Sequence, residues 1–141
     1  GLAQAEALAL FGREGVDLAT RFGTLPAGTP LEDAFKLYLN YDGNGGRIEG
    51  DSVRATSTIA DAVGAYAIVS PQGKTFVLLF NKDTVSRVAE VDGSFAEGVQ
   101  GELYRFDARQ RLAFDGHVQT ANGGFAVKLP ARSTALIAVP Q

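Results

Sequence analysis

The chain has 141 residues, 45% of them hydrophobic and 21% charged, with a net charge of −3 at pH 7. That balance describes one domain with a real core; it excludes wholesale disorder and gives no basic footprint for nucleic acid or an anionic membrane. With no cysteine and a single histidine, disulfides, thiolate chemistry and a conventional zinc site are excluded as well.

Leu2 to Phe11, LAQAEALALF, consists of strong helix formers, with Ala5, Leu8 and Phe11 toward one face and Gly12 and Gly15 as stop signals. Val16 to Phe22 then alternates Val16, Leu18, Thr20 and Phe22 against polar or small neighbours, a strand period. GTLPAGTP, residues 23–30, is a linker by composition. It leads into a helix with Thr29 as N-cap, Pro30 at the first position and Glu32 completing a capping box. Leu31, Ala34, Phe35 and Tyr38 form the apolar stripe of that helix.

Beyond Arg47 the chain reads as strands: SVRATS, AYAIVS, TFVLLFN, VSRVAEV, QGELYRF, LAFDGHV, GFAVKL and TALIAV. Short breaks separate them, including a Pro71–Gln72–Gly73 turn with a preset dihedral at proline and positive φ at glycine. The expected fold is therefore mainly β: an antiparallel sandwich of about eight strands with two short helices near the N-terminus. FVLLF and ALIAV are apolar on both faces, which makes them central or covered strands. Methionine is absent altogether. Either an initiator was removed ahead of Gly1, or the segment derives from a longer polypeptide. No apolar run approaches the roughly 20 residues of a membrane helix, and the first residues lack the features of a signal peptide.

Three stretches occur in a fixed order: ALALFGREGVDLATRFG, AFKLYLNYDGNGG and LPARSTALIAVP. Together they resemble the C-terminal segment of glycoside hydrolase family 44, bacterial endoglucanases and xyloglucanases. The resemblance implies a β-sandwich appended to a (β/α)₈ catalytic barrel. Residues 1–30 would be a remnant of the last barrel helix and strand plus a linker, and 31–141 the sandwich, all in one compact unit. The two catalytic glutamates of that family have no counterpart here. Retaining hydrolysis needs two carboxyls roughly 5–5.5 Å apart across a cleft, so the resemblance implies an accessory domain and not an enzyme. It also implies a secreted parent, with the barrel as partner. The alanine-rich face of the first helix would fold back on the sandwich or pair with a second copy.

Tyr41 to Asp51, YDGNGGRIEGD, is the segment richest in candidate ligands. Asp42 and Asn44 fit the first two positions of an EF-hand loop, but Gly46, Arg47 and Val53 occupy its fifth, sixth and twelfth. A calcium site of another kind would draw on Asp42, Asn44, Glu49 and Asp51; otherwise no cofactor is expected. Glu49 and Asp51, two apart, would share one strand face, which does not flank a substrate. Asp115 and His117 would likewise share a face, half of a nucleophile triad without its serine elbow. The rival function is a carbohydrate-binding module for β-glucan or xyloglucan. Tyr41, Asp42 and Asn44 would make its shallow site, with Tyr66 and Tyr104 as further partly exposed rings. Against it stands the absence of tryptophan, with the nine phenylalanines mostly in core patterns.

Overall fold

Two helices and eight strands form where the apolar periodicity predicts them, in a computed structural model that describes residues 1–17, 19, 21 and 23–141. They are α1 (Leu2–Arg13), α2 (Pro30–Leu39), β1 (Asp51–Val53), β2 (Val63–Val69), β3 (Lys74–Asn81), β4 (Arg87–Asp92), β5 (Gln100–Phe106), β6 (Ala113–Gln119), β7 (Gly124–Leu129) and β8 (Ser133–Pro140). The strand expected at 16–22 rests on Leu18, Thr20 and Phe22, which lie outside the described residues.

All strand pairs are antiparallel. Six strands form one sheet in the order β1-β2-β3-β8-β5-β6, and β4 pairs with β7 in a second. The helices lie on one face of the large sheet and the β4-β7 pair on the other, which makes three layers. Alternation decides which side chain goes where. Phe76, Leu78, Phe80, Leu136 and Ala138 meet the helices, whereas Val77, Leu79, Ala135, Ile137 and Val139 meet β4-β7. Central strands covered on both faces explain why FVLLF and ALIAV have no polar side.

Ala5 and Ala9 are the buried residues of α1. Their small size lets the helix lie close against α2 and the sheet, and Tyr38 Oη donates to the Ala5 carbonyl at 2.6 Å. Burial pushes the Tyr38 hydroxyl well above the usual phenol range. Gly12 stays inside the helix. The end comes at Gly15 and Val16, whose N–H groups return to the carbonyls of Gly12 and Phe11 at 3.3 and 2.9 Å, the paired bonds of a Schellman ending.

α2 begins as predicted: Thr29 is the N-cap, Pro30 is the first helical residue, and Glu32 N–H donates to Thr29 Oγ1 at 3.4 Å. The reciprocal half of the box is displaced by one residue, since the Glu32 carboxylate accepts from Gly28 N–H at 2.7 Å. The buried face also differs from the predicted stripe. It centres on Asp33, Ala34 and Leu37, while Leu31, Phe35 and Tyr38 are half-buried. The rotation has a polar cause. Asp33, 1% exposed, takes a two-pronged grip from Arg111, Nε to Oδ2 at 2.7 Å and Nη2 to Oδ1 at 2.8 Å. It also accepts from Leu112 N–H at 3.2 Å. This pins α2 to the β5–β6 connection.

Glu32 sits at the rim of this pair, bonded to Lys36, Gly28 and Arg111. Chiefly through the Lys36 bond, its carboxyl is held down at about 2. A depressed carboxyl contributes stability above its unfolded value near 4.5, and that stability is lost as pH falls toward 2. Thermal melting between pH 5 and pH 2 should show this acid limb, and Glu32→Gln should flatten it. An unchanged slope in Glu32→Gln would assign the limb to other carboxylates.

A second polar clamp joins the two sheets. Asn81, fully buried at the end of β3, points Nδ2 at the carbonyls of Val85, Leu129 and Pro130, at 3.0, 3.1 and 2.9 Å. Its Oδ1 accepts from Asp83 N–H at 3.1 Å.

Candidate functional site

The loop after α2 is built by its own side chains. Asp42 Oδ1 accepts from the N–H groups of Asn44 and Gly46, both at 2.8 Å. Asn40 Oδ1 accepts from Gly45 N–H at 2.6 Å, and Tyr41 N–H closes onto the Gly46 carbonyl at 3.0 Å. Gly43 and Gly45 take positive φ of 76° and 90°, which side-chain-bearing residues rarely adopt. The Asn44 bond, foremost, holds the Asp42 carboxyl below its ordinary value. Asp42 Oδ1 is thus engaged in ordering the backbone of its own loop.

Glu49 and Asp51 are both exposed, Asp51 opening β1 and Glu49 preceding it, with Gly50 at φ 141° between. They are not successive residues of one strand face. Among the described residues, no group of three or more histidine, cysteine or acidic side chains stands close enough to hold a metal ion.

The tyrosines go inward. Tyr41 is 5% exposed, its ring edge-on to Phe76 at 5.8 Å and to Tyr104 at 4.9 Å between centroids. Tyr66 and Tyr104 are buried as well. None of the three offers a free ring face to a sugar. Burial, reinforced by a 3.0 Å bond to Glu102, raises the Tyr104 hydroxyl above the usual phenol range. Asn44 stays exposed at the loop surface.

The β6 edge departs from its expected pattern. Two steps of β5, from Glu102 to Tyr104, span three steps of β6, from His117 to Phe114, so a bulge falls at Gly116, φ 112°. The bulge breaks alternation and sends Asp115 and His117 to different partners. Asp115 pairs with Arg105, whose other guanidinium nitrogen donates to the Lys128 carbonyl on β7 at 3.0 Å. His117 instead stands edge-on to Phe114 at 5.0 Å, and Phe114 meets Tyr104 at 5.8 Å. The half-triad therefore does not form. Phe114, 51% exposed, is the aromatic that the core reading of the phenylalanines missed. The Asp115–Gly116 pair that directly follows it was the available signal.

No helix of the described residues is long and apolar enough to cross a membrane. No protein-family model matches the chain. Among solved structures, it is similar to CelM2, a bifunctional glucanase-xylanase from a metagenome library, with a TM-score of 0.91 and 34% identity across 99% of this chain. A glycoside hydrolase family 44 endoglucanase of Clostridium acetobutylium ATCC 824 gives a TM-score of 0.88 and 28% identity across 98% of this chain. The chain spans only 27% and 28% of those two proteins. A curated relative, beta-mannanase/endoglucanase A of Caldicellulosiruptor saccharolyticus, is 30% identical over 112 residues, which is 77% of this chain and 8% of the relative.

Proposed function

We propose that this chain, which matches over nearly its whole length a part of a family 44 endoglucanase, is a non-catalytic accessory domain that braces a catalytic barrel. The observation that carries the reading is its fit to a little over a quarter of CelM2 and of a family 44 endoglucanase, at TM-scores of 0.91 and 0.88. The chemistry agrees with it. Asp42 is committed to its own loop and Asp115 to Arg105, while Glu49 and Asp51 are solvated. A glycosidase instead needs an opposed carboxyl pair. α1 is the natural bridge: Ala5 and Ala9 root it in the sandwich, while Leu8 and Phe11, and Val16 just beyond the helix, lie outside both core clusters of the described residues.

When the chain is joined to a family 44 barrel, the two parts should melt in one transition, above that of the barrel alone. The chain by itself should release no reducing sugar from soluble β-glucan. Two separate, unshifted transitions, or hydrolysis by the chain alone, would sink the proposal.

A carbohydrate-binding role for β-glucan or xyloglucan is the second reading. What favours it is the exposed Phe114 ring beside His117, more than the loop at Asp42 and Asn44. In the same experiment, titration of cello-oligosaccharides would give heat that Phe114→Ala removes.

A further inference from the structure

A run of edge-to-face rings leads from the core to the surface. Buried Phe76 meets Tyr41 at 5.8 Å, Tyr41 meets Tyr104 at 4.9 Å, and Tyr104 meets Phe114 at 5.8 Å between centroids. Phe114 ends the run on β6, seated on Tyr104 yet 51% exposed. In an unbroken strand Phe114 and His117, three residues apart, would point to opposite faces. The bulge at Gly116 brings both to the helix side of the sheet, with 5.0 Å between their centroids. Across from them on β5, Glu102 pairs with His117, and Gln100 pairs with Gln119. Leu103 and Val118 belong to the core on the β4-β7 side, so alternation turns Gln100, Glu102, His117 and Gln119 to the helix side as well. The helices leave this strip open: Gln100, His117 and Gln119 are exposed and Glu102 is half-buried.

We propose that this strip of β5 and β6 is a surface binding site for one pyranose unit of a β-linked glucan chain. The C–H face of the sugar ring stacks on Phe114, and its hydroxyls bond His117, Gln119 and the second oxygen of Glu102. The inference rests on the carbohydrate-binding reading and gives it a place, a stacking residue and hydroxyl partners. Three observations select a sugar as occupant. Phe114 is the single large hydrophobic that β5 and β6 expose among the described residues, so the strip lacks the contiguous apolar patch that a protein partner needs. An apolar ring bordered by neutral amides, an imidazole and a carboxylate matches a ligand whose apolar ring face is rimmed by hydroxyls. The bulge also blunts the outer edge of β6, which disfavours main-chain pairing with an added strand. Both contact groups are set before the sugar arrives: Tyr104 supports the Phe114 ring, and its Oη donates to Glu102 Oε2 at 3.0 Å.

Titration of cellotetraose into the isotope-labelled chain, read by NMR, tests the proposal. Amide signals of residues 100–102 and 114–119 should shift, with a Kd on the order of 1 mM for one stacked ring. Phe114→Ala should weaken binding about tenfold and His117→Ala about fivefold, whereas Phe114→Trp should tighten it. Each variant replaces an exposed side chain, so melting temperatures should stay within about 3 °C of the parent, which separates lost contacts from lost folding. Shifts confined to residues 41–46 would overturn the site and leave the carbohydrate-binding reading standing at another place. Unchanged affinity in Phe114→Ala would do the same. No shift at about ten times the expected Kd would overturn the site and the carbohydrate-binding reading together. The bracing role is read separately, by joint melting with the barrel, and survives either outcome.

Discussion

Replacing Asp33 with alanine is expected to lower the free energy of unfolding by about 3 kcal/mol. The carboxylate is buried, and its removal leaves the Arg111 guanidinium without its two-pronged partner and the Leu112 N–H without an acceptor. Arg111 is nearly half exposed, so it recovers some hydration, which keeps the figure at the lower end of the range for broken buried pairs. Arg111→Ala should cost at least as much, because it strands a buried carboxylate. Asp33→Asn should cost less, since the amide oxygen still accepts one bond. Urea unfolding of the three variants checks the order. A loss below about 1 kcal/mol in Asp33→Ala would show that α2 is held by its apolar face alone.

Asn81→Asp should be more damaging than its small change in shape implies, by about 3 kcal/mol or more. The substitution removes both Nδ2 donors and turns a carboxylate toward the carbonyls of Val85, Leu129 and Pro130. Asn81→Ala removes the same bonds without adding that repulsion, so it should cost less. If the residue only filled space, the order would reverse, with alanine the worse variant. Denaturant midpoints of the two proteins decide between these accounts.

Most of the fold was legible because its signals are local. The eight expected strand segments each meet an observed strand, and Thr29, Pro30 and Glu32 mark the start of α2 where it forms. What was not legible depends on partners far away in the chain. The buried face of α2 could not be read from hydrophobicity, because Asp33 turns inward to meet Arg111, 78 residues later. Tyr41 looked like a surface residue of a polar loop. Its ring is drawn into the core by Phe76 and Tyr104, whose contacts only the folded sheet creates. The opposition of Asp115 and His117 hinges on one extra residue in β6, which strict alternation cannot anticipate. At the loop itself, glycines interleaved with Asn40, Asp42 and Asn44 are the local signal for side chains that bond the backbone, as Asn40 and Asp42 do.

The place of β8 has a consequence for the order of events during synthesis. Residues 133–140 come last among the strands, yet they lie between β3 and β5 in the middle of the large sheet. Until they leave the ribosome, β1-β2-β3 and β5-β6 are two separate pieces with apolar edges and no shared partner. The sheet therefore cannot close progressively from the N-terminus. It waits for its final strand, and through that interval the apolar surfaces of β3 and β5 are exposed to aggregation or to chaperones.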